Sequence, residues 1–160
     1  MLKAIEFLCV GLWLGADVFL SFVVAPGAFS VLASRDAAGA VVGYSLTRMH
    51  VGGILCGIIF LAVRLLRSFV AAAPNTRVVS FTSPSVACVV LMIAVTTISQ
   101  FTVSARMAAL RLQMGSIEST APGNSLLAEF SRLHRISVSL EAVVLLAGVA
   151  AVYFLSRESA

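Results

Sequence analysis

Asp17 and Glu141 stand inside two apolar runs, LWLGADVFLSFVVAP and ISVSLEAVVLLAG, where an acid is out of keeping with its neighbours. An ionised carboxylate at the centre of a membrane-spanning helix costs about 2.5–3.5 kcal/mol on insertion scales, so such residues usually face a partner or a cavity. The chain's two histidines, His50 and His134, are the other candidates. Carboxylates and imidazoles on facing helices can relay protons or bind a cation, because they supply charge, oxygen and nitrogen where lipid cannot. Each also has a plainer role: a protonated acid that ties two helices together, or a histidine solvated at the interface.

The elements that must carry these groups follow from composition. The chain has 160 residues, 60% of them hydrophobic and 11% charged, with mean hydropathy +1.06. Soluble domains run at about 25% charged, so this is expected to be an integral membrane protein. At roughly 20 apolar residues per span the length suits one domain, residues 1–160, with four spanning helices.

Segment one is expected over about Ala4–Ala25, stopping at Pro26-Gly27, a pair that disfavours continued helix. The second helix is expected from near Asp36, capped by Ser34 or Asp36, through Leu66. Ser68–Ser83, with Pro74-Asn75 inside it, reads as a loop. A third helix runs from Pro84 through Val103, its pattern continuing past Arg106 to about Met114. The linker GSIESTAPGNS breaks the chain, and the fourth helix starts at an Asn124 or Ser125 cap. The spans proper are placed at about 4–25, 47–67, 84–104 and 135–156. The expected fold is all-α: a membrane four-helix bundle whose helices two, three and four extend beyond the bilayer on one side.

Four spans put both termini on one face, side A, with the first and third connections on side B. The basic residues divide between the two faces, so their count does not orient the chain. Short basic flanks on side A favour that face as cytoplasmic. Counting inward from side A gives 14 residues from Lys3 to Asp17, 14 from Arg64 back to His50 and 16 from Arg157 back to Glu141. At 1.5 Å rise per residue these are depths of roughly 21–24 Å, so the three groups share a layer nearer side B, with Gln100 and Thr97 at a similar level. His134, Ser137 and Glu141 fall at i, i+3 and i+7 on one helical stripe, and Trp13, Asp17 and Ser21 on another. Trp13 reads as packing, as do Gly53 and Gly57, whose small-xxx-small spacing allows close helix approach. Arg48, Arg132 and Arg135 read as snorkelling to headgroups.

Several functions have nothing to rest on. The formal charge of +4 comes from basic residues placed singly or in pairs at the ends of apolar runs, which suits lipid headgroups and not nucleic acid. Cys9, Cys56 and Cys88 lie in separate apolar segments without metal-ligand spacing and read as small buried residues. Neither a P-loop, a GxSxG turn nor an HExxH motif occurs, so no enzyme activity is expected. The apolar run beginning at Phe7 is longer than a signal-peptide core and is expected to be retained.

The stretch WLGADVFLSFVVAPGAF, with its Trp, nearby Gly and Phe and a small-Pro-x-x-Phe turn, resembles the first-helix pattern of the transmembrane protein 205-like family. FSRLHRISVSLEA is similar to that family's fourth-helix pattern, Phe-x-x-aromatic/Leu-His-x-x-Ser, and the end of helix three around Arg106 matches in part. The resemblance implies a four-span protein of a group with many bacterial members of unknown function, hence an inner (cytoplasmic) membrane location. It supports Trp13, Pro26, His50, His134 and Ser137 as pattern positions. Where many relatives carry Asn, this chain carries Glu141.

The expected function is a polar pocket within the bundle, open to side B, that binds or passes a cation, proton or small solute. Its candidate residues are Asp17, His50, Gln100, Arg106, His134, Arg135, Ser137 and Glu141, with Arg106 or Arg135 holding the carboxylates or an anionic ligand. The alternative is a structural or haem-carrying accessory subunit of a larger membrane complex, with His50 and His134 as axial ligands, or a homo-oligomer. A lipid- or quinone-directed enzyme with His134 as base is a more remote third.

Overall fold

A computed structural model describes residues 2–70 and 83–158. Those residues form four long helices: α1, Leu2–Val31; α2, Arg35–Val70; α3, Pro84–Met114; and α4, Ser125–Arg157. Each is long and apolar enough to cross a membrane, with 30, 36, 31 and 33 residues respectively. Their outward faces are as apolar as their inward ones. Phe22, Phe101 and Leu146 are 69%, 71% and 67% exposed, a surface that suits lipid and not water. The chain is thus an integral membrane protein, and its even number of spans fits termini on one side.

The helices pack in sequence order, α1 on α2, α2 on α3 and α3 on α4, and α4 closes the ring against α1. Short connections make neighbours antiparallel. One end of the bundle holds Glu6, Arg64, Ser85 and Glu158; the other brings the start of α2 against residues 116–118. Two apolar layers fill the interior. Cys9, Val10, Phe60, Val89 and Leu155 lie towards side A, and Trp13, Met92, Val144 and Ala147 sit deeper.

Two turns of π-helix interrupt the α geometry, Leu20–Val24 in α1 and Ser99–Ser104 in α3. The first explains why the helix does not stop at Pro26-Gly27, as the sequence suggests, but continues to Val31. The Ala25 amide bonds the Leu20 carbonyl five residues back, so helical bonding is re-phased immediately before Pro26. Proline then stands in the first turn of a fresh α segment, where its missing N–H and fixed φ are tolerated.

Local chemistry sets the other ends. Leu32 turns extended, with φ −82° and ψ 135°. The Ser34 hydroxyl then caps α2, accepting from the amides of Asp36 and Ala37 at 3.2 and 3.4 Å. Asp36 itself reaches across to α3's exit, accepting from the Ser116 hydroxyl at 2.6 Å and the Ile117 amide at 2.9 Å. Gly115, at φ 71°, ends α3, and Asn124 caps α4 by accepting from the Leu126 amide at 2.8 Å. Helix α2 runs past Leu66 and includes Ser68; the expected loop residues 71–82, with Pro74 and Asn75, lie outside the described residues.

Gly53 and Gly57 make room for a side chain, and not only for a backbone. A Cβ at Gly53 would collide with the Trp13 indole, and one at Gly57 with Trp13 and Ile93. The glycine spacing on α2 is therefore the socket for the α1 tryptophan, which is 2% exposed.

Candidate functional site

The α1 stripe Trp13–Asp17–Ser21 turns Asp17 inward, where it is 1% exposed. On α2, the face that carries Gly53 and Gly57 also carries His50, which is wholly buried. On α4, Glu141 faces the same interior while keeping 14% of its side chain exposed.

These groups meet. The His50 ring sits between Gln100 Oε1, 2.8 Å from Nδ1, and Glu141 Oε1, 2.7 Å from Nε2. The Ser99 hydroxyl also donates to Glu141 Oε1, at 3.3 Å. Asp17 lies within electrostatic range of both His50 and Glu141, and accepts a 3.4 Å hydrogen bond from Ser21. Three helices thus close on one histidine, with α1 supplying a second acid beside it.

The π-turn of α3 is what lets adjacent residues serve this cluster. Neighbours on an α-helix point about 100° apart, since 3.6 residues make a turn. Ser99 and Gln100 open the π segment, and both reach the His50–Glu141 pair. Widened turns of this kind recur at functional sites because they re-aim side chains without breaking the helix.

Gln100 Oε1 and Glu141 Oε1 occupy the two ring nitrogens of His50. Asp17 is different. Its Oδ2 is buried without a partner among the described residues, as is Glu141 Oε2. Two acceptor oxygens on facing helices therefore remain open, and a buried acceptor left unpaired costs about 1–3 kcal/mol.

Other sequence candidates lie elsewhere. His134 and Arg135 are exposed. Arg106 is half exposed and pairs with Glu129 on α4, at 2.8 and 3.2 Å, holding neither Asp17 nor Glu141. Ser137 is buried one turn before Glu141 with no hydrogen bond to it among the described residues. The donor set does not fit a bis-histidine haem: both His50 nitrogens are engaged by Gln100 and Glu141, and His134 points away from the interior. Ser99, which the depth count did not include, is the second α3 residue at the cluster.

A second polar cluster was not singled out in the sequence. At the side A end, Glu6 is wholly buried and Arg64 is 3% exposed. Arg64 bridges Glu6 at 3.3 Å and Glu158 at 2.8 Å, and donates to the Ser85 hydroxyl at 3.1 Å. Arg67 adds a 2.6 Å pair to Glu6. All four helices or their immediate ends join in this clasp, which caps the interior on side A. The signal in the sequence was Glu6, an acid inside the first apolar segment, together with Arg64 and Arg67 at i and i+3 on one face.

A family model described as a domain of unknown function (DUF4149) matches residues 8–116. The matched stretch holds Asp17, His50, Ser99, Gln100 and Arg106, and ends before α4 with Glu141. No curated protein and no solved structure matches the chain.

Proposed function

We propose that this chain, which belongs to the DUF4149 family of domains of unknown function, holds within its four-helix bundle a site for one proton or one small monovalent cation. Asp17 and Glu141 bind it, His50 shares its proton with Glu141, and Gln100 and Ser99 fix the histidine and the acid in place. The observation that carries this function is a histidine engaged at both nitrogens between facing helices, flanked by two carboxylates that each keep one buried oxygen unpartnered. Structural pairing alone accounts for the hydrogen bonds, but leaves those two oxygens without a purpose.

Access is from side B. Glu141 is the least buried of the three groups, at 14% against 1% for Asp17 and 0% for His50, while the Glu6–Arg64–Glu158 clasp closes side A. The proposal includes the side B ends of α2, α3 and α4 standing clear of the bilayer, side A in the cytoplasm, and a bacterial inner-membrane setting. These, and the transmembrane protein 205-like assignment, rest on the basic flanks and on the first- and fourth-helix motifs. Binding and passage, without a catalytic step, are all that the residues require.

The test is flux. In proteoliposomes with a proton-sensitive dye inside, the wild-type chain dissipates an imposed pH or sodium gradient faster than empty vesicles do. Asp17→Asn combined with Glu141→Gln brings the rate to that of empty vesicles while the protein still folds. Equal rates for wild type and double variant sink the proposal.

A further inference from the structure

A notch in the outer surface between α1 and α2 carries a second, separate site. Its volume is about 240 Å³, less than the pockets that enclose a drug-sized molecule, and its walls are apolar. Leu12 and Ala16 form the α1 wall; Gly52, Gly53 and Cys56 form the α2 wall. Gly52 has no side chain to fill the space, and a Cβ added there would meet nothing within 4 Å.

One polar group gives the notch a direction. At its side B end stands Arg48, exposed and without a carboxylate partner among the described residues, its guanidinium 5.2 Å from the centre of the Tyr44 ring. The floor is the Trp13 indole, 98% buried and packed on Gly53. An arginine at a membrane interface calls for an anion. Gly52 lies four residues beyond Arg48 on α2, about 6 Å deeper along the helix.

We propose that this notch binds one anionic phospholipid drawn from the surrounding bilayer. The phosphate pairs with Arg48, and the acyl chain runs inward past Gly52 and between Leu12 and Cys56. Arg48 thus does more than reach for whatever headgroup passes: the notch beneath it fixes where the lipid lies.

Native mass spectrometry of the purified full chain, released from micelles carrying phosphatidylglycerol or phosphatidylcholine, tests this. One phosphatidylglycerol per chain is retained, preferred over phosphatidylcholine by about fivefold, the contribution of one basic residue to an anionic headgroup. Arg48→Gln abolishes the preference. Gly52→Leu fills the notch and abolishes retention of both lipids while leaving Arg48 in place, and it carries the test alone if Arg48→Gln does not survive purification. Equal retention of the two lipids by the wild type overturns the proposal. So does a Gly52→Leu variant that keeps the wild-type preference, since the arginine would then be acting without the notch. Neither Arg48 nor Gly52 touches the Asp17–Glu141 cluster, so this outcome is independent of the flux measurement.

Discussion

His50 is engaged at both ring nitrogens, and its removal costs more than replacement of its acid partner. Replacing it with Ala leaves Glu141 buried with its strongest partner gone, and an ion pair broken from one side costs about 3–5 kcal/mol. The expected result for His50→Ala is a steep loss of thermal stability in detergent. Glu141→Gln should be far milder, about 1 kcal/mol, because an amide can still hydrogen-bond the imidazole while removing the charge. Melting both variants beside the wild type separates the two outcomes, and a His50→Ala variant as stable as Glu141→Gln would mean that the contact is weak. At this scale the sequence told a good deal. An acid in an apolar run is conspicuous, and a count of 1.5 Å per residue was enough to set Asp17, His50 and Glu141 at one depth. What depth counting cannot give is azimuth. His134 and Arg106 sit in the right region of their helices but on other faces, so one is exposed and the other pairs with Glu129.

At the scale of the element, the two π-turns are the features that a 3.6-residue periodicity conceals. One carries α1 through Pro26 and the other brings Ser99 and Gln100 together on the cluster, so both shift which residues face inward downstream of them. The expected stop at Pro26-Gly27 failed for this reason: the rule that proline breaks helices assumes an unbroken α register before it. The small-residue pattern on α2 was legible as close packing, but its partner, the Trp13 indole, was not. Gly53→Ala places a methyl group against that ring and should destabilise the fold by about 1–3 kcal/mol. Gly43→Ala, whose Cβ meets nothing within 4 Å, serves as its control. Tryptophan emission on unfolding in detergent reads both variants; equal midpoints would show that the socket is not tight.

Across the whole molecule, the four helices are tied at two levels, the His50 cluster and the Glu6–Arg64–Glu158 clasp. The clasp has a pH dependence of its own. Burial opposes the charge on Glu158, but Arg64 and the Ser85 hydroxyl and amide outweigh it and hold its pKa below the usual glutamate value. A depressed folded-state pKa contributes stability that is complete above the unfolded value, roughly 4.3, and is lost as pH falls through the folded one. Acidification below about pH 4 should therefore erode wild-type melting temperature more than that of Glu158→Gln; parallel decline in the two would remove Glu158 from the account. The four-span architecture was readable from composition and run length alone. The clasp was not, because Arg64 and Arg67 look the same in sequence whether they orient the chain towards lipid headgroups or lock α1 to α4.

The central claim is that Asp17 and Glu141 share one exchangeable proton or cation in the middle of the bundle. Infrared difference spectroscopy of the protein in lipid, taken across a pH titration with and without sodium, observes carboxyl protonation directly. The expected result is a protonated-carboxyl C=O band that disappears on titration or on sodium addition and is absent from Asp17→Asn, with Glu141→Gln altering what remains. A titration without any such band, or one unchanged in Asp17→Asn, would contradict it.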